Sequence, residues 1–321
     1  MIFIITSKDD LTADYFILKL IERKIPYFRF NTEDMPSSVE VSISFPDGIS
    51  NLINDNGVAL NLNAVSGVWY RRPKKSIINP DLDLELQEYV REDSWFLVHG
   101  LCEMIPDSAR WVSRPEIIRR AENKIYQLKI AHSCGLSIPD TVIGNSPQRL
   151  EMLPLGEELK MGNYIAKPIR NGKYYVRGET KIFFTSIFPQ DWQQDELRVW
   201  PIIAQKKVQK RRDVRVTVFG SNVFSVAIDT TSLSDEIKLD WRRAIDQVSY
   251  DVISLPQEIE NRLINLLDKM GLAFGAIDLI ETPDGNYVFL EVNPNGQWAW
   301  IEERTGLAMR DALIDVLLEK L

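Results

Sequence analysis

The stretch from Gly275 to Asn295 constrains this chain more than any other. It reads Gly-Ala-Ile-Asp-Leu-Ile-Glu-Thr-Pro-Asp-Gly-Asn-Tyr-Val-Phe-Leu-Glu-Val-Asn-Pro-Asn, two apolar strands around a turn signal. Pro283 presets φ and Gly285 accepts positive φ, so Thr282 to Asn286 predicts the turn. Strand side chains alternate faces, which puts Glu291 and Asn293 on one side. With Thr282 paired to Tyr287 across a four-residue loop, Asp278 falls opposite Glu291 and shares its face. Charges in otherwise apolar strands are costly when left unpaired. A hard divalent cation relieves that cost. The oxygens of Asp278, Glu291 and Asn293 suit Mg²⁺ carried with a nucleotide phosphate. The competing reading is a surface hairpin with solvated charges. The metal reading is preferred because all three polar residues fit one register, while Val288, Leu290 and Val292 fit the buried face.

At 321 residues the chain has room for two or three lobes around a shared core. Its 45% hydrophobic and 26% charged residues are those of a soluble globular protein. A net charge of −8 argues against a general nucleic-acid binder. Cys102 and Cys134 have no metal-ligand spacing and predict reduced thiols in the cytoplasm. The N-terminal Met-Ile-Phe-Ile-Ile-Thr predicts a buried strand, not a signal peptide, and no apolar run approaches membrane-spanning length.

Alternating strands and helices predict an α/β (α+β) protein. The first lobe opens with a strand at residues 2–6, a helix from Leu11 to Glu22 and a strand from Pro26 to Phe30, without a Gly-x-Gly-x-x-Gly fingerprint. The strand from Gly67 ends in Arg71 and Arg72, which can grip a carboxylate or phosphate in a fork or form a solvated strand end. His99 and His132 read as structural residues. Ser113 to Pro115 marks a boundary, and Ile117 to Cys134 predicts one helix. Lys167 is the one charge in the apolar strand Tyr164 to Pro168, which is costly unless its ammonium meets an anion. Arg170 to Gly178 predicts either a loop closing over phosphates or an ordinary hairpin. Lys206 to Arg212 holds five basic residues in seven and predicts a basic turn or an anionic-substrate surface. Asp213, Arg215 and Thr217 alternate onto one face. Asp229 faces Arg215 only if the intervening turn has the right length. Pro256 to Met270 predicts an amphipathic helix capped by Gly271, and Gly306 to Leu321 a closing helix.

In this order the pieces resemble the ATP-grasp ligases, from about Arg114 to the end and more loosely in the first lobe. They are Asn123 and Lys124 on a helix, Ala166 to Pro168 on a strand, Ala204 to Val208 as a hinge, Asp213 to Arg215, Ala276 to Asp278, and Glu291 to Asn293. The resemblance implies an ATP-grasp fold with a Rossmann-like pre-ATP-grasp domain at 1–114, a central lobe at 115–204 and a C-terminal lobe with the Mg²⁺ site at 205–321. The nucleotide site is expected between the central and C-terminal lobes. Lys124 and Lys167 are implied to touch ATP phosphates, and Asp278, Glu291 and Asn293 to hold Mg²⁺. The hinge from Gln205 is implied to read adenine. Lys206 stands about where the family carries a Glu, so recognition is expected from the backbone groups of Lys206 and Val208.

Within the superfamily the chain is similar to the graspetide (microviridin-type) peptide-maturing ligases, close to the MvdC and MvdD type. Val68 to Pro73 and Glu291 to Glu302 carry this similarity. It implies phosphorylation of Asp or Glu side chains of a leader-bearing precursor peptide. Attack by a Ser/Thr hydroxyl or Lys amine would then close an ester or amide, with the ester preferred. The enzyme is expected to be a cytoplasmic homodimer without nucleic-acid or membrane partners. Arg215 could steady the transferring phosphoryl group and the substrate carboxylate, or pair with Asp213. Asp229 is the candidate proton acceptor. Trp298 and Trp300 belong to the core or wall the peptide site, with core expected for at least one. The competitors are a RimK-like ligase adding an amino acid to a peptide or protein terminus, and a protein that binds without chemistry.

Overall fold

The structure is a computed structural model that describes residues 1–54, 56–146, 162–170, 172–176, 179–189, 194–244 and 246–318. The chain divides into two compact units. Residues 1–116, 272–274 and 295–321 form the first, and residues 117–271 and 275–294 form the second. The segment from Asn295 onward therefore groups with the N-terminal portion, which the expected division at 204/205 does not include.

In the first unit, β1 (Ile2–Thr6), α1 (Leu11–Glu22) and β2 (Tyr27–Asn31) form a strand–helix–strand unit with β1 and β2 parallel. Asp10 caps α1 by accepting from the Thr12 N–H at 3.2 Å. An antiparallel sheet of β3 (Glu40–Ile43), β4 (Ser50–Ile53) and β5 (Ala59–Asn61) follows. β6 (Gly67–Tyr70) then pairs parallel with β1, α2 (Leu84–Glu103) crosses over, and β7 (Arg110–Val112) completes the order β2-β1-β6-β7. β1 and β6 are buried throughout, as parallel strands covered on both faces require. His99 of α2 is half-buried against Trp95, whereas His132 is exposed.

Arg71, at the end of β6, is fully buried and not a solvated strand end. Its Nε lies 2.8 Å from Asp10 Oδ2. Its Nη1 donates to the carbonyls of Gly296 (3.0 Å) and Asn295 (3.4 Å), and its Nη2 to Gln297 Oε1 (2.7 Å). Burial pulls the guanidinium down to about 10 against the opposing pull of Asp10. The two stretches that carry the family resemblance thus meet in space. Trp298 is fully buried beside Trp69 and Tyr15, so it is core. Beyond it the expected closing helix runs from Met309 to Leu318, and a further helix that was not expected, Ala299–Thr305, precedes it. Gly306, with φ of +72°, ends the earlier of them and does not begin a helix.

The chain enters the second unit through α3 (Pro115–Ala121) and α4 (Lys124–Ser133), where the spacing predicts one helix. The break has a local cause. Asn123 is extended, and its Oδ1 accepts from the N–H groups of Ile125 (3.0 Å) and Tyr126 (3.2 Å), which starts a new helix. β8 (Thr141–Gly144) and β9 (Tyr164–Lys167) come next, then the hairpin of β10 (Lys173–Val176) and β11 (Glu179–Ile182). Together with β12 (Ser186–Ile187) and β13 (Ile202–Lys206), β8 and β9 make an antiparallel sheet in the order β12-β9-β13-β8. Asn171, Arg177 and Gly178 of the expected phosphate loop lie outside the described residues.

The other large sheet comprises β14 (Arg212–Phe219), β15 (Asn222–Asp229), β16 (Ser249–Ile253), β17 (Phe274–Glu281) and β18 (Tyr287–Asn293), in the order β16-β15-β14-β17-β18. Helix α5 (Gln257–Met270) buries Leu263, Leu266, Leu267 and Met270, and ends at Gly271 as the spacing predicts. Gly275 is required by close approach. A Cβ there would lie 2.7 Å from Leu267 Cδ2 and 3.0 Å from Val292 Cγ2. Gly275→Ala is therefore expected to cost about 1–3 kcal/mol by overpacking, measured by denaturant unfolding. Arg71→Met leaves Asp10 buried without its cation and is expected to cost about 3–5 kcal/mol in the same measurement.

Candidate active site

The β17–β18 hairpin brings Asp278 and Glu291 opposite one another, though not by the expected route. Its turn is one residue tighter, closed by Thr282 N–H donating to the Asn286 carbonyl at 2.9 Å, with Gly285 at φ +81°. The ladder then runs Glu281–Tyr287, Ile280–Val288 and Leu279–Phe289. Continued without a break, it would set Glu291 opposite Ile277, on the face away from Asp278. A β-bulge intervenes: Leu290 is the extra residue, and Asp278–Glu291, Ile277–Val292 and Ala276–Asn293 are in register beyond it. The bulge puts the two carboxylates on one face.

Both oxygens of Glu291 meet cations. Lys124 Nζ lies 3.3 Å from Oε2, and Arg242 Nη1 lies 3.2 Å from Oε1. Burial alone would raise this carboxyl, but the charges of Lys124, Arg242 and Lys167 outweigh it and hold the group at about 2. Arg215 Nη1 donates to Asp278 Oδ1 at 2.8 Å. Asp213 instead pairs with Lys210 at 2.6 Å, so the expected alternative of an Asp213–Arg215 pair is not formed. Burial pushes the Asp213 carboxyl up to about 6, against the opposing pull of Lys210. Arg242 is itself gripped by Asp240, with Nε to Oδ1 at 2.8 Å and Nη2 to Oδ2 at 3.0 Å.

Lys167 ends β9, and burial pulls its ammonium down to about 8 although Glu291 opposes the shift. Its Nζ donates to Gln205 Oε1 at 2.8 Å. Gln205 is buried, and its Nε2 donates to Thr141 Oγ1 at 3.0 Å. Gln205 therefore orients Lys167. The Lys206 N–H donates to the Asp140 carbonyl at 2.8 Å, so what that residue can offer an adenine is its own carbonyl. Val208 is half-buried in the segment that follows β13. Asn293 is exposed at the end of β18.

Asp229 does not join this cluster. Asp213 pairs with Ile228 and Arg215 with Val226, so Asp229 belongs to the other face of β15. It is exposed and accepts from the Thr231 N–H (2.8 Å) and Oγ1 (2.7 Å), bonds that hold its carboxyl low and make it a poor base. The turn at Gly220 and Ser221 decides this face, and a one-residue difference reverses it. Arg242 and Asp240 were not anticipated. They come from a segment without periodic pattern, and only the fold brings them to Glu291.

The donor set fits Mg²⁺ arriving with a polyphosphate. No cluster of three or more His, Cys, Asp and Glu able to hold a metal occurs among the described residues. Mg²⁺ needs only one or two carboxylates when phosphate oxygens and water complete its shell. Lys124, Lys167, Lys210, Arg215 and Arg242 also outnumber the neighbouring Asp213, Asp240, Asp278 and Glu291, as a site for a polyanion requires.

Two family models match the chain. Residues 1–119 match the MvdD pre-ATP-grasp domain, and residues 196–317 the RimK-like ATP-grasp domain. No match was found among curated proteins. Among solved structures, a RiPP-associated ATP-grasp ligase of Chryseobacterium gregarium, in complex with ADP and a leader and core peptide, has 29% identity. It superposes with a TM-score of 0.88 over 98% of this chain and 96% of that one. The macrocyclase MdnC of Microcystis aeruginosa MRC, bound with precursor peptide MdnA, has 28% identity, with a TM-score of 0.85 over 99% of each chain. The macrocyclase MdnB of the same organism has 26% identity and a TM-score of 0.81 over 99% of each chain. With a match to the MvdD pre-ATP-grasp domain ahead of a match to the RimK-like ATP-grasp domain, on a backbone shared over its length with these peptide macrocyclases, the chain matches the graspetide (microviridin-type) ATP-grasp ligases.

Proposed function

We propose that this protein is an ATP- and Mg²⁺-dependent macrocyclase of a ribosomally made precursor peptide, joining Asp or Glu side chains to Thr/Ser hydroxyls or to a Lys amine. The observation that carries the reading is the meeting of Lys124, Lys167, Arg215 and Arg242 with Asp278 and Glu291 around one face of β17 and β18. The likeness to ligases solved with precursor, leader or core peptides supports a peptide as substrate.

A carboxylate is a poor electrophile and an acyl phosphate a good one. In the first step a substrate carboxylate oxygen takes the terminal phosphoryl group of ATP, and ADP leaves. Lys124 and Lys167 hold phosphate oxygens, and Arg215 steadies the substrate carboxylate and the transferring group. The Lys206 carbonyl and the Val208 N–H read the adenine. Asp278, Glu291 and Asn293 would hold Mg²⁺, which supplies neutralisation and alignment of the phosphates when bound. In the second step a hydroxyl or amine attacks the activated carbonyl, phosphate leaves, and the proton passes to a base. Asp213 suits that role better than Asp229, because a carboxyl at about 6 is closer to the working pH.

Of the two linkages we propose the ester, on the match to the MvdD type. The nucleotide is proposed to lie within the second unit, between the sheet that carries Lys167 and the sheet that carries Asp278 and Glu291. Cytoplasmic residence accords with the buried free thiols of Cys102 and Cys134. A homodimer accords with the exposed Leu84, Tyr89 and Phe96 on α2, and no nucleic-acid or membrane partner is proposed. Among the described residues no helix is long and apolar enough to cross a membrane. The RimK-like match favours a second reading, addition of an amino acid to a peptide or protein terminus.

Incubation with precursor peptide and ATP separates the two. Cyclisation lowers the peptide mass by one water per ring, and mild alkali reopens an ester; a gain of residue mass would overturn the macrocyclase reading. Glu291→Gln is expected to lower ADP release by about 10²–10³-fold while circular dichroism stays native, and full turnover in that variant would refute its metal role. Asp213→Asn is expected to retain ADP release and lose ring closure. In the parent, ring closure rises with pH through about 6 as Asp213 loses its proton.

A further inference from the structure

One side chain of helix α4 clamps the backbone of the edge strand β18. Gln127 is 3% exposed. Its Nε2 donates to the carbonyls of Val292 (2.8 Å) and Ala121 (2.7 Å), and its Oε1 accepts from the Val292 N–H (3.1 Å). The side-chain amide pairs with Val292 as the peptide group of a neighbouring strand would, at the edge of the sheet, where no further strand follows β18.

Two facts make this more than an edge cap. Val292 stands between Glu291 and Asn293, so the clamp fixes the backbone that aims both side chains. Gln127 also follows Lys124 by three residues on the same helix face, and Lys124 Nζ is 3.3 Å from Glu291 Oε2. On the other side of the bulge, the Phe289 N–H donates to the Ser137 carbonyl at 2.8 Å. Leu290 is therefore pinned between an anchor at Phe289 and an anchor at Val292.

We propose that Gln127 is a positioning residue that sets the separation between Lys124 and the Glu291–Asn293 pair, coupling the grip on phosphate to the grip on Mg²⁺. The inference rests on the nucleotide–Mg²⁺ reading above and assigns Gln127 no contact with either ligand. Loss of the clamp frees the C-terminal side of the bulge, and Glu291 and Asn293 lose their fixed aim. The phosphate lysines stay on their own elements, so binding of nucleotide without metal is spared.

The test is binding of a fluorescent ADP analogue, with excess Mg²⁺ and with EDTA, to the parent, Gln127→Met and Gln127→Asn. The parent is expected to bind more tightly with Mg²⁺. Gln127→Met, isosteric but unable to make the bonds, is expected to lose about 10-fold of that gain, the scale of outer-shell effects on metal affinity. Its affinity in EDTA is expected to stay within about twofold, and amide exchange over residues 288–294 to speed up. A folded Gln127→Met that keeps the full Mg²⁺-dependent gain overturns the proposal. Where that variant does not fold, Gln127→Asn, which keeps the amide one methylene short, is judged by the same criterion. A parent without any Mg²⁺-dependent gain overturns the underlying nucleotide–Mg²⁺ reading itself.

Discussion

The bulge at Leu290 is the constraint on which the candidate site depends. A strand has two faces and a period of two, so one extra residue exchanges them for everything beyond it. Before the bulge, the tight turn at Thr282–Asn286 sets a ladder that would send Glu291 away from Asp278. After it, Asp278, Glu291 and Asn293 share one side. Local irregularity here is a device for aiming side chains, held by Ser137 before the bulge and Gln127 after it.

Once the carboxylates share a face, the surrounding charges follow a consistent logic. Buried carboxylates need cations close by, and Glu291 has Lys124 and Arg242 while Asp278 has Arg215. Not every basic residue nearby is available to a ligand. Arg211 and Arg212 are both drawn to the buried Glu281, and Lys210 to Asp213. Three of the five basic residues of the run after β13 are thus engaged by the protein's own carboxylates, which ties the hinge to β17. Positive charge is concentrated where Lys124, Lys167, Arg215 and Arg242 stand.

In the first unit the organising interaction is the burial of Arg71. Its guanidinium satisfies Asp10, two backbone carbonyls and the Gln297 amide oxygen at once. A planar fork with several fixed donors can do this, and a lysine could not. The paired arginines at a strand end do grip a carboxylate, but it is the protein's own. That explains why the Val68–Pro73 and Glu291–Glu302 stretches carry the family resemblance together: part of each is the other's binding partner.

The amino-acid pattern by itself determined the α/β class, the strand–helix–strand opening, α1 and α5 with their ends, and the residue types of the proposed nucleotide–metal site. These follow from local periodicity, caps and turn chemistry, all written within a few residues. Asp278, Glu291, Lys167 and Arg215 were legible because charges in apolar strands are anomalous wherever the chain folds, and Lys124, on a helix, was legible through the family resemblance alone. Tertiary structure decided the rest. It placed Asp229 on the wrong face through a turn of fixed length, and it split a predicted helix at Asn123. Through packing at long range, it brought Arg242, Asp240 and Gln127 to Glu291 and Val292. The position of a bulge and the partner of a buried amide depend on what lies across the sheet, and no short stretch of sequence contains that information.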